Sequence, residues 1–119
     1  MVFFIMINDL TKGLVIKSPW IEMILHRQKT WEIRGSNTHI RGRIGLIKSG
    51  SGLILGSVNL INSLPMNLND WHYFWPKHRV FTDDLPYKNT YAWVLENPII
   101  FKEPIPYKHP MGAVIWVNL

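Results

Sequence analysis

Cysteine is absent from the 119-residue chain, so neither a disulfide framework nor a thiolate metal site can form. That absence suits a reducing, cytoplasmic setting. Long apolar runs are missing too: the greasiest, Val2 to Ile7, falls far short of the ~20 residues a membrane span requires, and no membrane partner is expected. The run lacks the basic start and small-residue cleavage site of a signal peptide. It reads as an extra N-terminal strand or extension within residues 1–12, or as residues upstream of an alternative start at Met6. No Gly-Lys-Ser/Thr follows Ser49-Gly50-Ser51-Gly52, which excludes a phosphate-cradling P-loop, and no Gly-x-Ser-x-Gly elbow marks a serine hydrolase. The histidines, His26, His39, His72, His78 and His109, lack zinc spacing and read as scattered surface groups, so no metal site is expected.

Acid is scarce: 8 Asp and Glu stand against 13 Lys and Arg, for a formal charge of +5 that favours an anionic partner. The excess lies wholly in residues 1–62, where eight basic side chains face three acidic ones; from residue 63 onward five face five. The basic surface is therefore expected on one side. With 47% hydrophobic and 13% aromatic residues, the composition supports one packed domain spanning residues 1–119.

Leu14, Val15 and Ile16 read as a short buried strand after Gly13. Ser18 as N-cap and Pro19 in the first turn predict a helix over Pro19–Gln28, with Trp20, Ile21, Ile24 and Leu25 on its buried stripe. A strand through Trp31 follows. Arg43 to Lys48 and Leu53 to Ile61 read as a hairpin, because the glycines between them supply the positive backbone angles of a tight turn. Asn67 or Asn69 caps a short aromatic helix that Pro76 would stop, and Trp71, Tyr73, Phe74 and Trp75 either stack on bases or cover the mouth of a barrel. Strands return at Thr90 to Glu96 and Gly112 to Asn118, with Pro98, Pro104, Pro106 and Pro110 forcing a turn-rich path between them.

The chemistry concentrates at Lys29, Glu32 and Arg34. Strand side chains alternate faces, which sets Thr30, Glu32 and Arg34 on one side and Trp31 and Ile33 on the other. Lys29 sits at the helix-to-strand junction, where the phase is open; a pocket needs it beside Glu32. A lysine next to a carboxylate binds phosphate or, once desolvated enough to lose its proton, acts as a base. Arg34 offers a planar fork for a phosphate or for the charge of a phosphodiester transition state. The competing reading is a plain Glu32–Arg34 ion pair at the barrel mouth. Around the trio, Lys17, Ser18, Trp20, Thr30, Arg43, Lys48 and Ser49 are candidate nucleic-acid contacts. Ser18 also reads as a cap, Trp20 as core, and Lys48-Ser49 as a solvated hairpin end.

A Pro19-Trp20 start to a short helix, followed by Lys29-x-x-Glu32-x-Arg34, resembles the ASCH domain of the PUA-like superfamily. The family pattern runs Gly-x-Lys-x-x-Glu-x-Arg, and Arg27 stands in its glycine slot. Tyr91-Ala92-Trp93-Val94-Leu95, Pro104-Ile105-Pro106-Tyr107 and Gly112 before Trp116 are similar to the family's C-terminal half, so the resemblance spans Gly13 to Val117. It implies an α+β, mainly β fold: a small mixed barrel of five or six strands, closed by the last one and flanked by short helices, with a cleft suited to RNA. Some branches of the family remove the acetyl group of acetylated cytidine, and others are linked to cleavage of single-stranded RNA. The deacetylase branch looks to use Lys-x-x-Thr; here Glu32 fills the threonine slot, and Thr30 is no positional match. The resemblance thus implies an RNA-binding domain, with cleavage of single-stranded RNA at Lys29, Glu32 and Arg34 as its finer form. Hydrolysis of a modified nucleoside and a non-catalytic adaptor role are the alternatives. A divalent metal ion would enter only in the nuclease reading.

Overall fold

Apolar bulk on both faces suits Leu14, Val15 and Ile16 to an interior ladder, and the computed structural model, which describes residues 10–119, places them in strand β1 (Lys12–Ile16). The expected strand at Val2 to Ile7 lies outside the described residues. Helix α1 (Trp20–Leu25) is shorter than the predicted Pro19–Gln28. Ser18 does not cap it: the hydroxyl bonds the Glu22 carboxylate instead, and Pro19 holds the cap position without a side-chain bond. A Schellman motif stops the helix early, the Arg27 N–H donating to the Ile24 carbonyl at 3.1 Å and the Gln28 N–H to the Met23 carbonyl at 2.8 Å. That motif needs a left-handed residue, and Arg27 supplies it at φ 65°. The glycine slot of the family pattern is thus a left-handed turn, occupied by arginine at a cost of about 1–2 kcal/mol.

Strand β2 (Trp31–Arg34) leaves this turn, and β3 (Gly42–Lys48) and β4 (Leu53–Met66) form the predicted hairpin, with Gly50 and Gly52 at φ 78° and 68°. The capping box of Asn67 and Asp70 starts α2 (Leu68–Tyr73). Pro76 does not stop the aromatic helix; it sits in the first turn of α3 (Trp75–His78), where a missing N–H costs nothing. Two prolonged strands depart from the sequence reading: β4 continues through Pro65, and β5 (Thr90–Pro106) runs through Pro98 and Pro104. Each strand has a free side there, because β3 ends at its partner Leu60 and β2 covers only Tyr91 to Val94 of β5. β6 (Trp116–Asn118) is shorter than the predicted Gly112–Asn118.

The strands form one mixed sheet in the order β2-β5-β4-β3-β1-β6, with β1 and β3 parallel. Among the described residues the backbone ladder does not close into a barrel; β6 adds outside β1, so β2 and β6 are the edges of the described sheet. Side chains bridge the seam instead. Arg34 of β2 donates through Nη2 to the Val15 carbonyl of β1 at 2.7 Å, and Trp93 stacks on Trp116 with ring centroids 5.6 Å apart. The domain is mainly β with three short helices, as the α+β expectation has it. One core packs α1 through Ile21, Ile24 and Leu25 against Leu14, Leu46, Val58 and Trp93; burying each such side chain contributes about 1.5–3 kcal/mol. A second core joins Trp31 and Ile33 of β2 to Met66, Trp71 and Ala92. Among the described residues, no helix is long and apolar enough to cross a membrane.

Candidate functional site

The side of β2 opposite Trp31 and Ile33 is also covered, so the strand carries its charges inside the molecule. Lys29 is 1% exposed and Glu32 5%. One oxygen of Glu32, Oε2, accepts from Arg34 twice, from Nε at 3.1 Å and from Nη2 at 2.8 Å. The other, Oε1, lies 3.8 Å from the Lys29 amine. Lys29 therefore joins the face of Glu32, the arrangement a pocket needs. Its amine donates to the His78 carbonyl at 2.5 Å and stands 5.1 Å from the centre of the Trp20 ring. At the other end, the Arg34 guanidinium lies 5.6 Å from the Trp93 ring. Tryptophans thus bracket the row Lys29, Glu32, Arg34.

Desolvation dominates the titration of Lys29. It outweighs the attraction of Glu32, Arg34 adds repulsion, and the pKa falls from 10.5 to about 8. The trio lines a cavity of about 230 Å³ whose other walls include Val15, Lys17, Trp20, Val80 and Tyr87. Glu32 is the single carboxylate in that lining. Among the described residues, no group of three or more His, Cys, Asp or Glu is placed to hold a metal ion.

Of the further candidates, Lys17 and Trp20 reach the cavity; the others do not line it. Ser18 and Lys48 instead converge on Glu22, with the Lys48 amine 3.7 Å from its carboxylate, and Ser49 donates its N–H to the Ile16 carbonyl at 3.0 Å. Arg43 bonds the Asn97 carbonyl at 2.7 Å and the Ser57 hydroxyl at 3.3 Å, which ties β3 to the bulge of β5. Thr30 is exposed, and its N–H holds the Lys77 carbonyl at 3.0 Å.

The sequence reading missed His78. It is fully buried rather than a surface group, stacked on Trp71 with centroids 3.8 Å apart. Its Nδ1 accepts from the Val80 N–H at 3.0 Å, so Nε2 carries the proton and donates to the Trp71 carbonyl at 2.7 Å. Burial holds its pKa below 6.5. This neutral ring anchors the carbonyl that orients Lys29. The available signal was its place two residues after Pro76 in an aromatic stretch; histidine spacing alone gave none.

An open mixed sheet curled over a short helix, with a buried Lys–Glu–Arg row at the seam, defines a small domain of the PUA-like kind. The chain belongs to the ASCH domain family, whose model matches residues 14–105. Among solved structures it is similar to the ASCH protein from Zymomonas mobilis, at a TM-score of 0.69 and 16% identity, covering 91% of this chain and 86% of that one. A serine-to-alanine variant of that protein gives a TM-score of 0.71 at 13% identity, with 91% and 87% covered. A search of curated proteins found no significant match.

Proposed function

We propose that this ASCH domain binds single-stranded RNA and seats one unpaired base in the cavity floored by Lys29, Glu32 and Arg34. The observation that carries the reading is the Lys29 amine, 3.8 Å from the Glu32 carboxylate and beside the Trp20 ring. Arg34 spends Nε and Nη2 on Glu32 and Val15, and among the described residues Nη1 has no hydrogen-bond partner. The floor therefore presents an acceptor, Glu32 Oε1, between two donors. A phosphate uses only donors and is repelled by the carboxylate, whereas a base edge carries donors and acceptors together. A volume of about 230 Å³ lies below the ~300–1,000 Å³ of drug-sized sites and fits a base rather than a helix. The excess charge of +5 attracts the strand.

Cleavage is the finer form of this reading, in a second register of the strand that brings a ribose rather than a base edge to the Lys29 amine. With a pKa of about 8, roughly a tenth of Lys29 is neutral at pH 7. The neutral amine takes the proton of a ribose 2′-hydroxyl while that oxygen attacks the adjacent phosphorus. The bond from phosphorus to the 5′ oxygen breaks, and that oxygen takes a proton from water, leaving a cyclic phosphate and a 5′-hydroxyl. Anisotropy of a labelled single-stranded RNA tests binding: affinity falls as salt rises, because counterions are released on association. No affinity, or affinity indifferent to salt, sinks the reading. Loss of cleavage in Lys29→Ala tests the chemistry, and retained cleavage assigns it to a contaminant.

The small cavity also favours a second reading, hydrolysis of a modified nucleoside. Glu32 stands where a threonine nucleophile would, so water would attack the amide, with Lys29 as its base. Acetate released from acetylated cytidine would separate this reading from the first.

A further inference from the structure

Beside the start of β2 lies a second groove, of about 520 Å³, whose lining includes Arg27, Gln28, Thr30, Tyr73, Lys77 and Arg79. No carboxylate lines it, and among the described residues none of its three cations is in an ion pair. Tyr73 is 78% exposed, a large outlay of aromatic surface for a side chain with no core to fill. Phe74 meets its ring edge-on at 4.8 Å and steadies it. Arg79 lies over the Trp75 ring at 4.8 Å and donates through Nε to the Pro76 carbonyl at 3.0 Å, so it is held in place while its charge stays outside any ion pair among the described residues. An exposed aromatic face beside such cations is what a single strand of nucleic acid uses, stacking its bases and pairing its phosphates.

A third cavity, of about 400 Å³, which Glu96 also lines, lies between the groove and the trio. It shares Lys29 with the site and Arg27 and Thr30 with the groove. Helix α3 is pinned at the same place, by the Thr30 N–H on the Lys77 carbonyl at 3.0 Å and by the Lys29 amine on the His78 carbonyl at 2.5 Å. An acidic peptide would satisfy the cations but leave the Tyr73 face unused, so the combination favours RNA.

We infer that this groove carries the nucleotides flanking the base seated at Lys29, with Tyr73 stacking one base and Arg27, Lys77 and Arg79 holding phosphates. The inference rests on the RNA-binding reading above. Its test compares a short fluorescein-labelled uridine oligomer with uridine monophosphate on the full chain. Tyr73→Ala weakens the oligomer about tenfold, since base stacking is worth ~1–3 kcal/mol. The pair Arg27→Gly and Lys77→Ala flattens the slope of log affinity against log salt by about 1.4, roughly 0.7 for each lost cation. Glycine suits the left-handed turn at position 27, and Lys77 is exposed, so both changes spare the fold. Neither set alters binding of the monophosphate, whereas Lys29→Met weakens both ligands. If the groove variants bind the oligomer like wild type, the groove inference is wrong and the RNA reading stands. If a polyglutamate peptide of equal charge competes as well as the oligomer, the groove belongs to acidic peptides and the inference falls. Wild type that binds neither oligomer nor monophosphate overturns the RNA reading and this inference with it.

Discussion

Replacing Lys29 by methionine should stabilise the domain while weakening the proposed RNA binding. A folded pKa of about 8 against 10.5 when solvated means that the buried ammonium costs about 3 kcal/mol at neutral pH, at 1.36 kcal/mol per pH unit. Methionine keeps an unbranched stem and needs no solvation, but it leaves the His78 carbonyl without its donor, a loss of about 1 kcal/mol. The balance is a gain of about 2 kcal/mol at pH 7, which for a domain of this size raises Tm by roughly 8 °C. The sign then changes with pH. Between pH 8 and 10.5 the unfolded lysine holds its proton and the folded one has lost it, so wild-type stability rises with pH by the same ~3 kcal/mol. Lys29→Met lacks that rise and is the less stable protein, by about 1 kcal/mol, near pH 10.5. Urea unfolding of both proteins from pH 7 to 10.5 reads the crossing directly, because every other titrating group is common to the pair. A stability difference that stays level across this range would refute the assignment of a strained ammonium to the site.

Gly56→Ala should cost more than ~3 kcal/mol, since the added Cβ would lie 2.2 Å from the Ile99 carbonyl oxygen, a backbone atom that cannot swing aside; thermal melting by circular dichroism checks it. Arg34→Lys keeps the charge but gives up the fork that serves Glu32 and Val15 together, and should lower stability by about 2 kcal/mol in urea. Asn67→Ala removes the box that starts α2 and should lower the same measure by about 1 kcal/mol. The depressed pKa of His78 gives stability that is complete above about pH 6.5 and declines below it, as acid protonates the unfolded ring first; in an NMR titration its ring should change below the ordinary imidazole range.

Local chemistry was legible wherever neighbours in sequence decide the outcome. The hairpin glycines, an asparagine cap at 67 or 69 and the shared face of Glu32 and Arg34 follow from turn angles, capping and strand alternation, and the structure has them, with Asn67 as the cap. Proline was misjudged at positions 65, 98 and 104, because its effect depends on whether the strand beside it has a partner, which is a property of the sheet order. The charge census by halves pointed to the N-terminal half, yet two of the groove cations, Lys77 and Arg79, come from the balanced half, brought to Arg27 by the fold of α3 against β2. Within the site, Glu32 and Arg34 were legible on one face, whereas the side taken by Lys29 stayed open until the structure set it beside Glu32. The His78 carbonyl was not legible, since a backbone acceptor 49 positions away leaves no mark in side-chain patterns.

The bond from Arg34 to the Val15 carbonyl gives the charged row a second occupation. It is the buckle of a sheet whose described strands do not fasten through the backbone, and the same guanidinium lines the cavity. A ligand of the proposed kind that draws on Arg34 would tug at the strap between β2 and β1, and β3 and β6 are both paired to β1. Binding of the proposed ligand should then change amide protection at Val117, which pairs with Gly13 of β1. For anyone reprogramming the site, Glu32 and Lys29 are the positions to redesign, and Arg34 is the one to leave buckled.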